Sequence, residues 1–143
     1  MYKKEFACLF LRLALGLGFL SAVASRLSFW GKASSGWTGF VDYTAQVNSF
    51  LPKNMIPPIA VVSTVLETSL GLMLILGIKI KYAAYGAAVL SLIFSLAMAY
   101  SFGIKEPLDY SVFAFSAGSY LLGITHCSKW SIDNLFYNQN KNN

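Results

Sequence analysis

Four apolar stretches, each about long enough to cross a lipid bilayer, constrain this chain more than any other feature. They cover residues 6–24, 57–78, 82–102 and 107–125. A hydrocarbon core of about 30 Å takes roughly 20 residues of α-helix. The first stretch is interrupted only by Arg12 and the second only by Glu67. The third carries no charge, and the fourth has Asp109 near its start. Helix is the expected form, because lipid offers no partner to a backbone N–H or C=O that is left unpaired. Composition agrees: 56% of the 143 residues are hydrophobic and only 12% are charged, against about 25% charged in a soluble domain.

The net charge of +5 does not mark a nucleic-acid binder, because the basic residues fall between the apolar stretches, at membrane edges. With four crossings, Lys3, Lys4, Lys79, Lys81, Lys129 and Lys141 share one side. Arg26, Lys32, Lys53 and Lys105 share the other, together with Asp42, Glu106 and Asp109. The positive-inside rule then places both termini in the cytoplasm. Lys3 and Lys4 followed by an apolar run and Ala22-Val23-Ala24 imitate a cleaved signal peptide. Arg12, inside what would be the hydrophobic region, argues against cleavage. Cys8 and Cys127 both fall toward the cytoplasmic edge, where thiols are expected to stay reduced. No C-x-x-C is present, which disfavours a disulfide-generating enzyme of that type.

Residues 25–56 form the only long connection, on the extracytoplasmic side. Within it Trp37, Phe40, Val41, Thr44, Val47, Phe50 and Leu51 recur at helical spacing, with Asp42, Gln46 and Asn48 between them. This predicts an amphipathic helix that lies on the membrane surface or caps the bundle. It reads as an interfacial anchor or as a lid over a site. The other connections are short, so their helices should be antiparallel neighbours. Small residues recur four apart at Ala14/Gly18/Ala22, Ala84/Ala88, Ser91/Ser95, Ala114/Gly118 and Ser119/Gly123, a spacing that lets helices pack closely. The expected fold class is an all-α membrane protein. A single domain over residues 1–143 holds four transmembrane helices in an antiparallel bundle, with the amphipathic helix between the first two and a polar, disordered tail at 138–143.

Charges inside the spans are the residues most able to carry chemistry, because lipid makes them costly. Arg12 lies about 10 Å and Glu67 about 16 Å from the same end, by helical rise, so an Arg12–Glu67 pair is expected. Such a pair is either a clamp that fixes helix register or a ligand or proton site. Polar faces support an inward-facing site. Ser63, Thr64, Glu67 and Gly71 share one. Cys8, Arg12, Gly16, Phe19, Val23 and Arg26 share a second. Asp109, Ser116, Ser119, Tyr120 and Gly123 share a third. Arg12, Glu67, Arg26 and Tyr120 are therefore the candidate site residues. His126 is the sole histidine. It cannot supply a bis-His haem, and beside Cys127 alone it makes a poor metal site, so no metal is expected. Nucleotide-binding and zinc-protease motifs are absent.

Residues 11–20 (LRLALGLGFL) with Arg26-Leu27, residues 60–84 (AVVSTVLETSLGLMLILGIKIKYAA), and Phe50-Leu51-Pro52 in an aromatic connection resemble the DoxX family of four-helix membrane proteins. The resemblance covers residues 9–103 directly. Many DoxX-type proteins carry a glycine and a lysine near the end of the first helix; here Ala22-Val23-Ala24-Ser25-Arg26 keeps the basic residue but not the glycine. The resemblance implies an accessory subunit of a quinone- or thiol-linked redox system in the bacterial cytoplasmic (inner) membrane. The chain itself would hold no cofactor, and quinone is the one ligand implied. Its partners would be the lipid bilayer and a redox protein, with an oligomeric assembly left open and no nucleic acid. A non-catalytic scaffold or a small-solute transporter is the alternative.

Overall fold

The computed structural model describes residues 2–125 and 129–134, and six α-helices with two short 3-10 turns run through the first of these segments. The α-helices are α1 (Tyr2–Arg26), α2 (Gly36–Val47), α3 (Ile56–Leu76), α4 (Ile80–Phe102), α5 (Lys105–Asp109) and α6 (Val112–Ile124). No strand occurs among the described residues. α1 packs along α3, a tight turn leads from α3 to α4, and α6 packs along α4 and closes the ring against α1. This is the antiparallel four-helix arrangement expected from the short connections. α2 lies across the end where α3 begins, touching α1, α3 and α4.

The outer faces are apolar. Phe6, Phe10 and Leu17 on α1, Val61, Val65 and Leu72 on α3, and Val89, Ile93 and Leu96 on α4 are all exposed. A surface of this kind is stable facing lipid and not water. α1, α3 and α4 are each long and apolar enough to cross a membrane, so the chain is a multi-pass membrane protein. Inside, Leu15, Phe19, Leu74, Ile80, Ala83, Ala84, Ala87 and Leu122 form the main core. The small residues of α4 let α3 and α6 approach it. On α1 and α3, Gly16 and Gly71 meet: a Cβ built on Gly16 would lie 3.0 Å from the Gly71 carbonyl oxygen, and one on Gly71 3.2 Å from that of Gly16. The contact fixes the register of these two helices.

The fourth apolar stretch is not one helix. It is α5, then a break at Ser111 with φ 56°, then the 13 residues of α6. The backbone closes the break through Tyr110 N–H to Glu106 C=O and Ser111 N–H to Leu108 C=O, both 3.0 Å. Apolarity alone does not register such a kink. The leg still crosses the bundle. Val112 packs beside Val47 and Met98 at one end, while the segment that follows, residues 129–134, docks at the other.

That docking is specific. Arg12 donates to the Trp130 carbonyl oxygen at 2.7 Å. The Asp133 carboxylate accepts the Lys79 and Ile80 N–H groups at 2.9 and 3.2 Å, capping the start of α4, where backbone donors are otherwise orphaned. Gly77 ends α3 at φ 72°. A Cβ there would stand 2.6 Å from the Ser131 Cβ, so only glycine fits both the turn and the docked segment.

Two further expectations change. The amphipathic helix ends at Val47, so Phe50 and Leu51 lie beyond it, in a turn closed by Leu51 N–H to Asn48 C=O at 2.9 Å. Asn48 takes the cap by turning its own side chain back onto the Thr44 carbonyl. Cys8 is disulfide-bonded and not a reduced thiol; compartment rules alone do not foresee which sulfur a fold brings near. Cys127, His126 and the tail 138–143 lie outside the described residues.

Candidate functional site

The expected Arg12–Glu67 pair does not form. Glu67 pairs with Arg26, whose Nη2 lies 2.9 Å from Oε1 and 2.7 Å from Oε2. Arg26 Nη1 also donates to Thr64 Oγ1 at 3.0 Å, and Thr64 in turn donates to the Ala60 carbonyl. The Phe40 ring of α2 covers the guanidinium, 3.7 Å from its carbon, a cation–π contact. Glu67 and Arg26 are 2% and 7% exposed.

Side-chain direction explains the exchange of partners. Each Cα–Cβ bond tilts toward the N-terminus of its own helix. From the Gly16–Gly71 crossing, Arg26 lies ten residues on along α1 and Glu67 four residues back along antiparallel α3. That leaves about 9 Å of axial offset. Arg26 tilts back toward the crossing and Glu67 tilts outward, so the two converge. Arg12 tilts away from Glu67, toward the Trp130 carbonyl, and about 12 Å of offset opens further.

The ion pair stands where two cavities meet. The larger, of about 560 Å³, is lined by residues of α1, α3, α4, the break and α6, among them Ala22, Ser91, Phe94, Tyr110, Ser111 and Phe115, besides Arg26 and Glu67. Its walls are mostly apolar. Gly18, Tyr110, Ser111 and Ala114 are exposed at its rim, so it opens sideways between α1 and α6. The smaller, of about 140 Å³, lies beneath α2 and is lined by Arg26, Phe40, Tyr43, Thr44, Asn48 and Ser63 among others. It is the more polar of the two in residue type. Burial pushes the Tyr43 phenol up from its ordinary value, and nearby Tyr110 and Glu106 push it further. Tyr43 therefore stays a neutral hydroxyl at physiological pH.

α2 is held over this chamber. Ser101 donates to the Val47 carbonyl at 2.6 Å, Ser49 and Ser101 hydroxyls meet at 2.9 Å, and Tyr43 stacks on Phe102. The amphipathic segment thus caps the end of the bundle.

Of the sequence candidates, Arg26 and Glu67 come together. Arg12 is buried at the opposite end in the docking of residues 129–134. Tyr120 is 56% exposed and packs against Tyr85 on the outer surface, away from both cavities. Phe40, Phe94, Tyr110 and Ser111 were not singled out as site residues. Phe40 could have been, since it lies one turn past Trp37 on the apolar face of the amphipathic segment. Among the described residues no cluster of three or more His, Cys, Asp or Glu could hold a metal ion.

Comparison with curated proteins and with solved structures finds no match. A family model does match, that of the methylamine utilisation protein MauE, over residues 4–109. The match runs through α1 to α5 and takes in Arg26, Phe40 and Glu67. It covers the helices in which a DoxX-type pattern is also legible, but the family it shows is a different one. Spanning well over half of the chain, it establishes that this protein belongs to the MauE family.

Proposed function

We propose that the chain is an accessory membrane subunit of a redox-linked system, and that its site receives the polar head of a lipophilic molecule of the quinone class. One observation carries this: a buried Arg26–Glu67 pair at the inner end of a mostly apolar cavity that opens toward the membrane. A quinone head needs hydrogen-bond donors for its carbonyl oxygens and apolar walls for its ring and tail. Arg26 is a donor in reach of the cavity, and the Tyr110 and Ser111 residues at its rim carry hydroxyls. An intramembrane carboxylate also suits the role of proton partner for chemistry that couples electrons to protons. Electrons would come from a partner protein, for which the DoxX-type resemblance argues. The family description, methylamine utilisation protein, is consistent with an accessory membrane role. The setting would be the bacterial cytoplasmic membrane, with both termini inside.

A second reading has its own support. Both Glu67 oxygens face Arg26, Arg26 also holds Thr64, and Phe40 closes the pair from above. A pair held in this way serves equally as a clamp in a scaffold or small-solute transporter. Titrating detergent-solubilised protein with a decyl-substituted benzoquinone separates the two. The first reading expects saturable thermal stabilisation that is lost in Ala114→Phe, which fills the cavity from its rim on α6 and replaces neither residue of the pair. No saturable stabilisation of the wild type would leave the clamp.

A further inference from the structure

The two cavities share three lining residues: Arg26, Phe94 and Val112. Arg26 is the charged contact. Phe94, on α4, and Val112, the first residue of α6, are both half-buried and stand between the chambers as an apolar partition. Val112 is not free to swing away cheaply. Val112 is set by the left-handed Ser111 before it, whose carbonyl accepts the Phe115 N–H at 2.9 Å, and it packs against the Val47–Ala97–Met98 cluster beneath α2. Phe94 also lines a third cavity on the outer face between α3 and α4, together with Ser63 and Ile93. Phe94 therefore borders the two chambers and this outer groove, and of the buried pair Arg26 alone reaches both chambers.

We infer that Phe94, with Val112, is the residue that sets how large a head the site admits. A head entering between α1 and α6 reaches Arg26 and stops at this partition. The space beyond, under α2, is bounded by Tyr43, Thr44, Asn48 and Ser63 and stays out of reach. Shortening Phe94 joins the chambers and gives a second fused ring somewhere to go, while Arg26, Glu67 and Thr64 keep their own contacts. This rests on the reading of the cavity as the seat of a lipophilic head, so its test must fail separately from that reading.

Two ligand series serve. One compares decyl-benzoquinone with a decyl-naphthoquinone. The other compares decylphenol with a decylnaphthol, which matches the shapes but lacks the paired carbonyls. Affinities are measured on the full chain in detergent by thermal shift and by quenching of tryptophan fluorescence. In Phe94→Ala the two-ring to one-ring affinity ratio should rise at least fivefold over wild type, and in Val112→Ala by a smaller factor. Phe94→Leu, which keeps more bulk, serves where the alanine variant does not fold. An unchanged ratio in a folded variant that still binds overturns the partition. Binding of the phenol series but not the quinones, with the ratio shifted as expected, rejects the quinone reading and leaves the partition standing. Binding of neither series to the wild type overturns both.

Discussion

Two buried arginines on one face of one helix, Arg12 and Arg26, compete for one buried glutamate, and helix geometry decides between them. The sequence makes the charges visible, since lipid penalises them. It also puts both arginines on the same face of α1, fourteen residues apart. Depth counted along ideal helices favours Arg12, because it treats each residue as a point on an axis. The side chain's tilt toward its own N-terminus reverses the choice, and the Gly16–Gly71 contact that sets the register is not legible from either helix alone. Double-mutant cycles test the assignment. Glu67→Gln leaves Arg26 buried without its counter-charge and should cost about 3–5 kcal/mol, the usual consequence of breaking a buried pair. Adding Arg26→Gln should recover a large part of that loss, measured as the midpoint of thermal unfolding in detergent. Arg12→Gln and Glu67→Gln should instead add within about 0.5 kcal/mol, as for residues that share no partner. Coupling in the second cycle and additivity in the first would return Glu67 to Arg12.

At the scale of elements, amphipathic spacing identified α2 and its buried side. Thr44 and Val47 face inward while Asp42 and Gln46 face out. The same spacing overran the helix by four residues, because Phe50 and Leu51 continue the period while Asn48 caps the chain before them. Spin labels walked from position 37 to 47 should show protection at 44 and 47 with a period near 3.6, and the period should be lost beyond 48. Less legible was the segment 129–134. Nothing in its sequence says that Asp133 caps a helix that began more than fifty residues earlier, since a cap of this kind is made by tertiary contact. Asp133→Ala should cost about 1 kcal/mol, typical of a lost helix cap. Gly77→Ala should cost more, because it meets both a positive φ and the Ser131 Cβ. In both variants, proteolysis near residue 130 should speed up; unchanged cleavage would mean that the segment does not depend on this dock.

For the whole molecule, the all-helical multi-pass architecture was legible from apolar length, because lipid enforces it more strictly than water enforces any soluble fold. Orientation depends on smaller margins, and the structure alters them. Arg26 was counted among the charges of the α2 end, yet it is buried against Glu67 and acts as a core residue. Lys105 at that end is paired with Asp109. The lysines of the opposite end, Lys3, Lys4, Lys79 and Lys81, are all exposed. Removing Arg26 from the count widens the basic excess at the end holding the α3–α4 turn, which the positive-inside rule assigns to the cytoplasm. The disulfide-bonded Cys8 lies on that same end and pulls the other way, because disulfides persist in oxidising compartments and are rare in the cytosol. One experiment weighs the two. In a background with both native cysteines replaced by serine, single cysteines are placed at the exposed positions Asp42 and Lys81 and treated in intact cells with a membrane-impermeant maleimide. Charge should win, since it acts during insertion, before any sulfur can pair. Asp42→Cys should label from outside, and Lys81→Cys should label only after the cells are opened. Labelling of Lys81→Cys in intact cells would invert the molecule and put the Cys8 end on the oxidising side, with the α2 cover and the smaller chamber facing the cytoplasm.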